Sequence, residues 1–168
     1  MEQALEVYRS GHNVASFGDS SGRVVVHADE LPWTDWALPG LRFKLLSINR
    51  RTGMFTVMME IAPNVETDLH HHFGDAHIFV TRGGYAYEHD RIGVGEHNVE
   101  IGSIAHKPFF DEDGGEVLVF FHGGISGVDE EGKPTGEYVC ADWMYEVAKA
   151  NGAADHLTPP PVERPTVN

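Results

Sequence analysis

The stretch Asp68-Leu69-His70-His71-His72-Phe73-Gly74-Asp75-Ala76-His77 contains three consecutive histidines and ends on a fourth. Side chains alternate between the two faces of an extended strand, so His70 and His72 share one face and His71 points to the other. His77 lies beyond a glycine that can bend the chain, and it opens an apolar segment from which it can return to the same face. The spacing therefore predicts imidazoles that converge on one point from neighbouring strands.

His106 is a more distant histidine, placed where another candidate strand begins. Neutral imidazoles suit zinc, iron, nickel and copper, and three of them on rigid strands leave positions free for water, substrate or dioxygen. We therefore expect a metal site that includes His70, His72 and His106. The remaining isolated histidines are expected to be ordinary surface or core residues: His12, His27, His89, His97, His122 and His156.

Short apolar segments separated by turn residues surround these histidines. Strands are predicted at residues 24–26, 41–49, 54–62, 94–101, 105–110 and 116–122, with strand, turn and strand within 77–89. Turn signals recur about every 8–12 residues, which is typical of an all-β sandwich or barrel. Residues 141–150 have apolar side chains at helical spacing, and Asn151-Gly152 is a suitable stop for that helix.

The domain organisation follows from these segments and from the length of 168 residues, which suits one core. We predict a single all-β domain over residues 23–157 that closes with a short C-terminal helix. Residues 1–22 are expected to form a loose N-terminal segment. The proline-rich residues 158–168 are expected to form a surface tail.

The charge balance limits the partners of this protein. The chain has 26 acidic and 12 basic side chains, a net charge of −14, and its basic residues are scattered. Nucleic acids and anionic membranes should therefore repel it. A single cysteine, Cys140, excludes an internal disulfide framework and fits a reducing compartment. The beginning of the sequence is acidic and broken, without the apolar run of a signal peptide, so a cytoplasmic location is expected.

The histidine spacing resembles the two metal-binding motifs of the cupin superfamily. The first motif corresponds to His70-x-His72-x4-His77-x6-Gly84 and the second to Gly102-x3-His106. The resemblance implies a small double-stranded β-helix barrel, or jelly roll, with the metal inside. Two features differ from the usual motifs, since His77 stands where a glutamate is common and the second motif lacks its usual proline.

Within the cupins, residues 31–157 are most similar to dioxygenases of the 2,4′-dihydroxyacetophenone and acetylacetone-cleaving types. The similarity includes Leu31-Pro32-Trp33, Tyr87-Glu88-His89-Asp90 and the Asp129-Glu130-Glu131-Gly132 turn. It implies a non-haem Fe(II) held by three histidines, which correspond to His70, His72 and His106. It also implies a glutamate six residues before the last histidine, at or just beyond the metal's ligands, and Glu100 has that position.

Two side chains keep alternative roles. His77 is either a fourth metal ligand or a group just outside the ligands that contacts the substrate. Glu100 is either a solvent-facing strand residue or a catalytic carboxylate that orients water or a substrate enol, or accepts its proton. The metal is expected to be Fe(II), with Zn, Ni or Mn as alternatives.

The expected reaction is cleavage by O2 of a C–C bond next to a carbonyl in a small ketone, diketone or hydroxyketone. One alternative is a hydrolase, lyase or isomerase that uses a redox-inert metal. Another is a non-catalytic cupin that binds a metal or a ligand. Because cupins commonly pair through their barrel edges, a homodimer or homotetramer is expected.

Overall fold

The computed structural model describes residues 25–157 and has ten strands and one helix within that range. They are β1 (Thr34–Asp35), β2 (Leu41–Asn49), β3 (Met54–Ile61), β4 (His70–His72), β5 (Ala76–Ala86), β6 (Arg91–Gly93), β7 (His97–Glu100), β8 (Phe109–Phe121), β9 (Ile125–Val128), β10 (Pro134–Val139) and α1 (Ala141–Ala150). The expected segments 1–22 and 158–168 lie outside the described residues, as does Val24. The strand predicted at 24–26 is wrong for Val25 and Val26, which are in no strand.

The strands form two antiparallel sheets. The larger has the order β1-β2-β3-β8-β5-β6, with β7 also paired to β5, and the smaller has the order β10-β9-β4. Within the described residues these sheets are not joined into one closed ring of hydrogen-bonded strands. The prediction of an all-β domain with a short C-terminal helix is confirmed.

The hairpin of β2 and β3 follows directly from side-chain alternation. Every second side chain of β3 is buried, from Phe55 to Ile61, and the intervening ones are partly exposed. The connecting turn ends at Gly53, whose φ of 78° is in the left-handed region that favours glycine. The side-chain oxygen of Asn49 accepts hydrogen bonds from the backbone N–H groups of Arg51 and Thr52. Both predicted strands and their turn are therefore confirmed.

The strands β5 and β8 are longer than the sequence predicts. Gly83-Gly84 lies where a turn is expected within 77–89, but it is inside the continuous strand β5 and faces Gly114-Gly115 of β8. Gly83 has a φ of 68°, and a Cβ added there would collide with the carbonyl oxygen of Gly114. The pairing of β5 with β8 shifts its register at these glycines, and both strands continue past them. The chain therefore does not turn here.

The C-terminal helix α1 is confirmed with the predicted bounds. It buries Met144, Tyr145 and Ala148 in the core and lies against β2 and β10. It ends at Asn151, whose side-chain amide donates hydrogen bonds to Trp33 O and Thr34 Oγ1 at 3.1 and 3.0 Å. No helix within residues 25–157 is long and apolar enough to cross a membrane.

Candidate metal centre

Three imidazoles come together where β4 meets the segment before β8. The backbones of His70 and His106 exchange two hydrogen bonds of 3.1 and 2.9 Å, so the two residues lie side by side. Their ring centroids are 4.6 Å apart, and those of His72 and His106 are 5.1 Å apart. The ring of His71 instead contacts Phe73, at 4.7 Å. The predicted alternation of the three consecutive histidines is therefore confirmed.

Glu100 adds a carboxylate to this group. It ends β7 and is 8% exposed, and its Oε2 lies 2.8 Å from His72 Nε2 and 3.3 Å from His106 Nε2. One ligand atom from each of His70, His72, Glu100 and His106 lies within 4.8 Å of all the others. Among residues 25–157 this is the one group of three or more such side chains with its ligand atoms so close.

The protonation states suit metal binding. Burial lowers the pKa of His70 to about 4, so its imidazole is neutral at physiological pH. Its Nδ1 donates a 2.8 Å hydrogen bond to the Asp68 carbonyl, which leaves the Nε2 lone pair free. Burial alone would raise the pKa of Glu100, but hydrogen bonds from His106 and His72 outweigh it and hold that pKa well below its usual value.

The residues fit a divalent cation. His72 Nε2 and His106 Nε2 are 3.2 Å apart and face the same oxygen of Glu100, and the Nδ1 of His72 is buried without a hydrogen-bond partner. Both buried imidazoles compete for one carboxylate oxygen, whereas a cation between them could accept the lone pairs of both nitrogens and pair with the carboxylate. A set of three imidazoles and one carboxylate suits iron, zinc, nickel or manganese and does not select among them.

A hydrogen-bond network holds the other carboxylate oxygen of Glu100, the one that does not face the imidazoles. The hydroxyl of Tyr87 donates to Glu100 Oε1, and the side-chain amide of Asn98 donates to Tyr87 Oη and Tyr85 Oη at 3.2 and 3.3 Å. Burial and the nearby Glu100 charge raise the pKa of Tyr87 well above its usual value, so its hydroxyl stays a donor. In the sequence, Tyr87 is part of the stretch Tyr87-Glu88-His89-Asp90 that carries the family similarity, and nothing in that stretch predicts its contact with Glu100.

His77 does not join the cluster, and the prediction that it supplies a fourth ligand is corrected. Ala76 of β5 pairs with Glu100, whereas His77 pairs with Val99 and therefore faces the other side of the sheet. There its ring stacks with that of His122 at 5.0 Å and lies 5.4 Å from that of His97. Glu100, rather than His77, is the fourth potential donor.

A cavity of about 400 Å³ lies between the two sheets and reaches the cluster. His70, His72 and Glu100 form part of its wall, and apolar side chains from both sheets form most of the rest. Apolar lining residues include Trp36, Met59, Ile78, Val119, Phe121 and Ile125. Tyr85 also lines the cavity, whereas Phe79, Phe109 and Phe120 are exposed on the surface.

The family follows from comparison with known sequences. Residues 21–126 match the family described as the ChrR Cupin-like domain. The chain belongs to this cupin family. The resemblance stated from the histidine motifs is thereby confirmed. No curated protein matches the chain significantly.

Solved structures similar to this cupin support the same fold. An RmlC-like cupin from Ralstonia eutropha JMP134 has a TM-score of 0.70 and 18% identity, over 78% of this chain and 90% of that one. A candidate acetylacetone dioxygenase from Methylibium petroleiphilum PM1 has a TM-score of 0.66 and 19% identity, over 83% and 99%. An acetylacetone dioxygenase from Acinetobacter johnsonii has a TM-score of 0.63 and 15% identity, over 80% and 95%. At these identities the similarity establishes the fold.

Proposed function

We propose that this cupin is an Fe(II)-dependent dioxygenase that cleaves a C–C bond next to a carbonyl in a small ketone, diketone or hydroxyketone. The observation that carries the proposal is the cluster of three imidazoles and Glu100, of which His70, His72 and Glu100 line an apolar cavity of about 400 Å³. That volume suits a small organic substrate. The structural similarity to acetylacetone dioxygenases supports this choice among cupin reactions.

Each part of the site has a role in such a reaction. Fe(II), when bound, supplies Lewis acidity and positions for the substrate oxygens and O2. The apolar walls exclude water from the reacting groups. Glu100 lines the cavity beside His72, where its carboxylate would accept the proton that a ketone loses when it enolises. A 1,3-diketone and O2 would give one carboxylic acid and one dicarbonyl compound, which together contain both atoms of O2.

Oxygen uptake tests the proposal. Protein loaded with Fe(II) under anaerobic conditions is mixed with air-saturated buffer and a panel of 1,3-diketones and hydroxyketones. We expect substrate-dependent uptake of one O2 per molecule cleaved, absent from Zn(II)-loaded protein. No turnover across the panel, together with tight retention of zinc, would contradict it. Oxygen-independent turnover with zinc would instead favour a hydrolase, lyase or isomerase.

A second candidate is a non-catalytic metal-binding cupin, and the position of Glu100 favours it. Three imidazoles and one carboxylate could together fill all four positions of a four-coordinate metal, and closed sites of this kind are structural rather than catalytic. The visible spectrum of Co(II)-substituted protein separates the candidates. A spectrum that changes when a diketone is added indicates open coordination positions, as the dioxygenase requires. The expected homodimer or homotetramer and the cytoplasmic location stay predictions.

A further inference from the structure

The charged side chains that line the cavity all have the same sign. They are Asp68, Glu100 and Glu137, and in the described part of the chain the lining includes neither lysine nor arginine. Glu100 lies within the metal cluster, whereas Asp68 and Glu137 are exposed to solvent. Residues that line a cavity and are also exposed mark the place where it opens. The mouth of this cavity is therefore acidic.

Glu137 is held in place at this mouth. It lies on β10 next to Thr135 and Gly136, which are exposed and also line the cavity. The indole N–H of Trp143 on α1 donates a 2.6 Å hydrogen bond to Glu137 Oε2. The Trp143 ring in turn lies 6.3 Å from that of Trp36, another lining residue. This support keeps a fixed negative charge beside the entrance.

We propose that the acidic mouth selects uncharged substrates, and that Glu137 is the specificity-determining residue that disfavours ketones with a distal carboxylate. Such a carboxylate would lose water in an apolar cavity whose lining has no lysine or arginine to pair with it, and it would face Glu137 and Asp68. Discrimination by an unpaired like charge is a common way to exclude a competing ligand. The inference rests on the proposed function only in taking this cavity as the substrate site.

A matched pair of ligands tests the inference without catalysis. 4,6-Dioxoheptanoate and 4,6-dioxoheptanamide share one 1,3-diketone group and differ at the far end, where one has a carboxylate and the other an uncharged amide of equal size. Binding of both to Zn(II)-loaded protein is measured by calorimetry. We expect the amide to bind about 10-fold more tightly, a difference of roughly 1.4 kcal/mol. Because the mouth faces solvent, this preference should shrink as salt is raised.

The substitution Glu137→Gln identifies the residue responsible. Glutamine can still accept the hydrogen bond from Trp143, so the geometry is kept while the charge is removed. The variant should lose most of the preference for the amide, whereas Glu88→Gln, which removes an exposed charge away from the cavity, should retain it. Equal binding of both ligands to the parent protein, binding of neither, or equal preferences in the two variants would overturn the inference.

These outcomes are separable from those of the oxygen-uptake experiment. Binding to zinc-loaded protein does not depend on O2 chemistry. A preserved preference for the amide without oxygen uptake would contradict the dioxygenase and leave the acidic mouth established. Oxygen uptake together with equal affinity for both ligands would contradict the acidic mouth alone.

Discussion

Tyr87 and Glu100 are joined by a hydrogen bond on the side of the carboxylate that faces away from the imidazoles. The hydroxyl of Tyr87 donates to Oε1, while His72 Nε2 and His106 Nε2 lie 2.8 and 3.3 Å from Oε2. Asn98 donates to the same hydroxyl from β7. Tyr87 therefore fixes the carboxylate so that a single oxygen faces the metal cluster.

Tyr87→Phe should weaken metal binding without unfolding the protein. The loss of one hydrogen bond to a ligating carboxylate allows it to turn, and such losses typically cost about 10–100-fold in metal affinity. Competition with a chromophoric chelator for Zn(II) measures the change. Tyr138→Phe is the control, because Tyr138 is exposed and lies outside the cluster. Equal affinities in the two variants would show that Tyr87 does not position Glu100.

Glu100→Gln should separate metal binding from proton transfer. Glutamine keeps the shape and can still accept from Tyr87, but it cannot act as a base. We expect weaker metal binding and, at saturating Fe(II), diketone turnover lower by roughly 100-fold or more. Oxygen uptake at a series of Fe(II) concentrations distinguishes the two effects. Full turnover at saturating metal would exclude Glu100 as the proton acceptor.

His106→Gln and His77→Gln form a matched pair that tests the ligand set. His106 belongs to the cluster, and His77 lies on the opposite face of the larger sheet. Elemental analysis after dialysis should find about one equivalent of metal in the parent and in the His77 variant, and far less in the His106 variant. Loss of metal from the His77 variant would reinstate it as a ligand.

Local patterns in the sequence account for much of the fold. The hairpin of β2 and β3 could be predicted because alternation and the turn at Gly53 depend only on neighbouring residues. Gly83-Gly84 shows where such reasoning fails. Whether two glycines form a turn or a bulge depends on the strand opposite, and here that strand brings Gly114-Gly115 against them. This partner is about 30 residues away and has no local signal.

The residues of the candidate site could likewise be predicted only where local patterns decide their placement. His70 and His72 follow from alternation within one strand, and Glu100 came from the family resemblance. His77 was misplaced because its face depends on the pairing of β5 with β7, which the sequence does not specify locally. The role of Tyr87 was missed for the same reason. One signal could have found it, since the tyrosines at 85 and 87 and the polar residues at 98 and 100 each alternate toward one face.

Gly83→Ala should destabilise the fold strongly. An alanine there must keep the left-handed φ of 68° and must also displace the carbonyl of Gly114, which belongs to the paired strand and cannot move away alone. The conformational cost of the left-handed region is about 1–2 kcal/mol for a residue with a Cβ, and the collision adds to it. The free energy of unfolding, measured by urea denaturation, should fall by more than about 2 kcal/mol.

Gly53→Ala separates the two contributions to that loss. Gly53 has a comparable φ of 78°, but a Cβ added there meets nothing within 4 Å. This variant should therefore show only the conformational cost of about 1–2 kcal/mol. A larger loss at Gly83 would establish that the close approach of β5 and β8 at the paired glycines, rather than backbone conformation alone, fixes this part of the larger sheet. Equal losses at the two positions would mean that the strands separate readily there and that the bulge is not tightly packed.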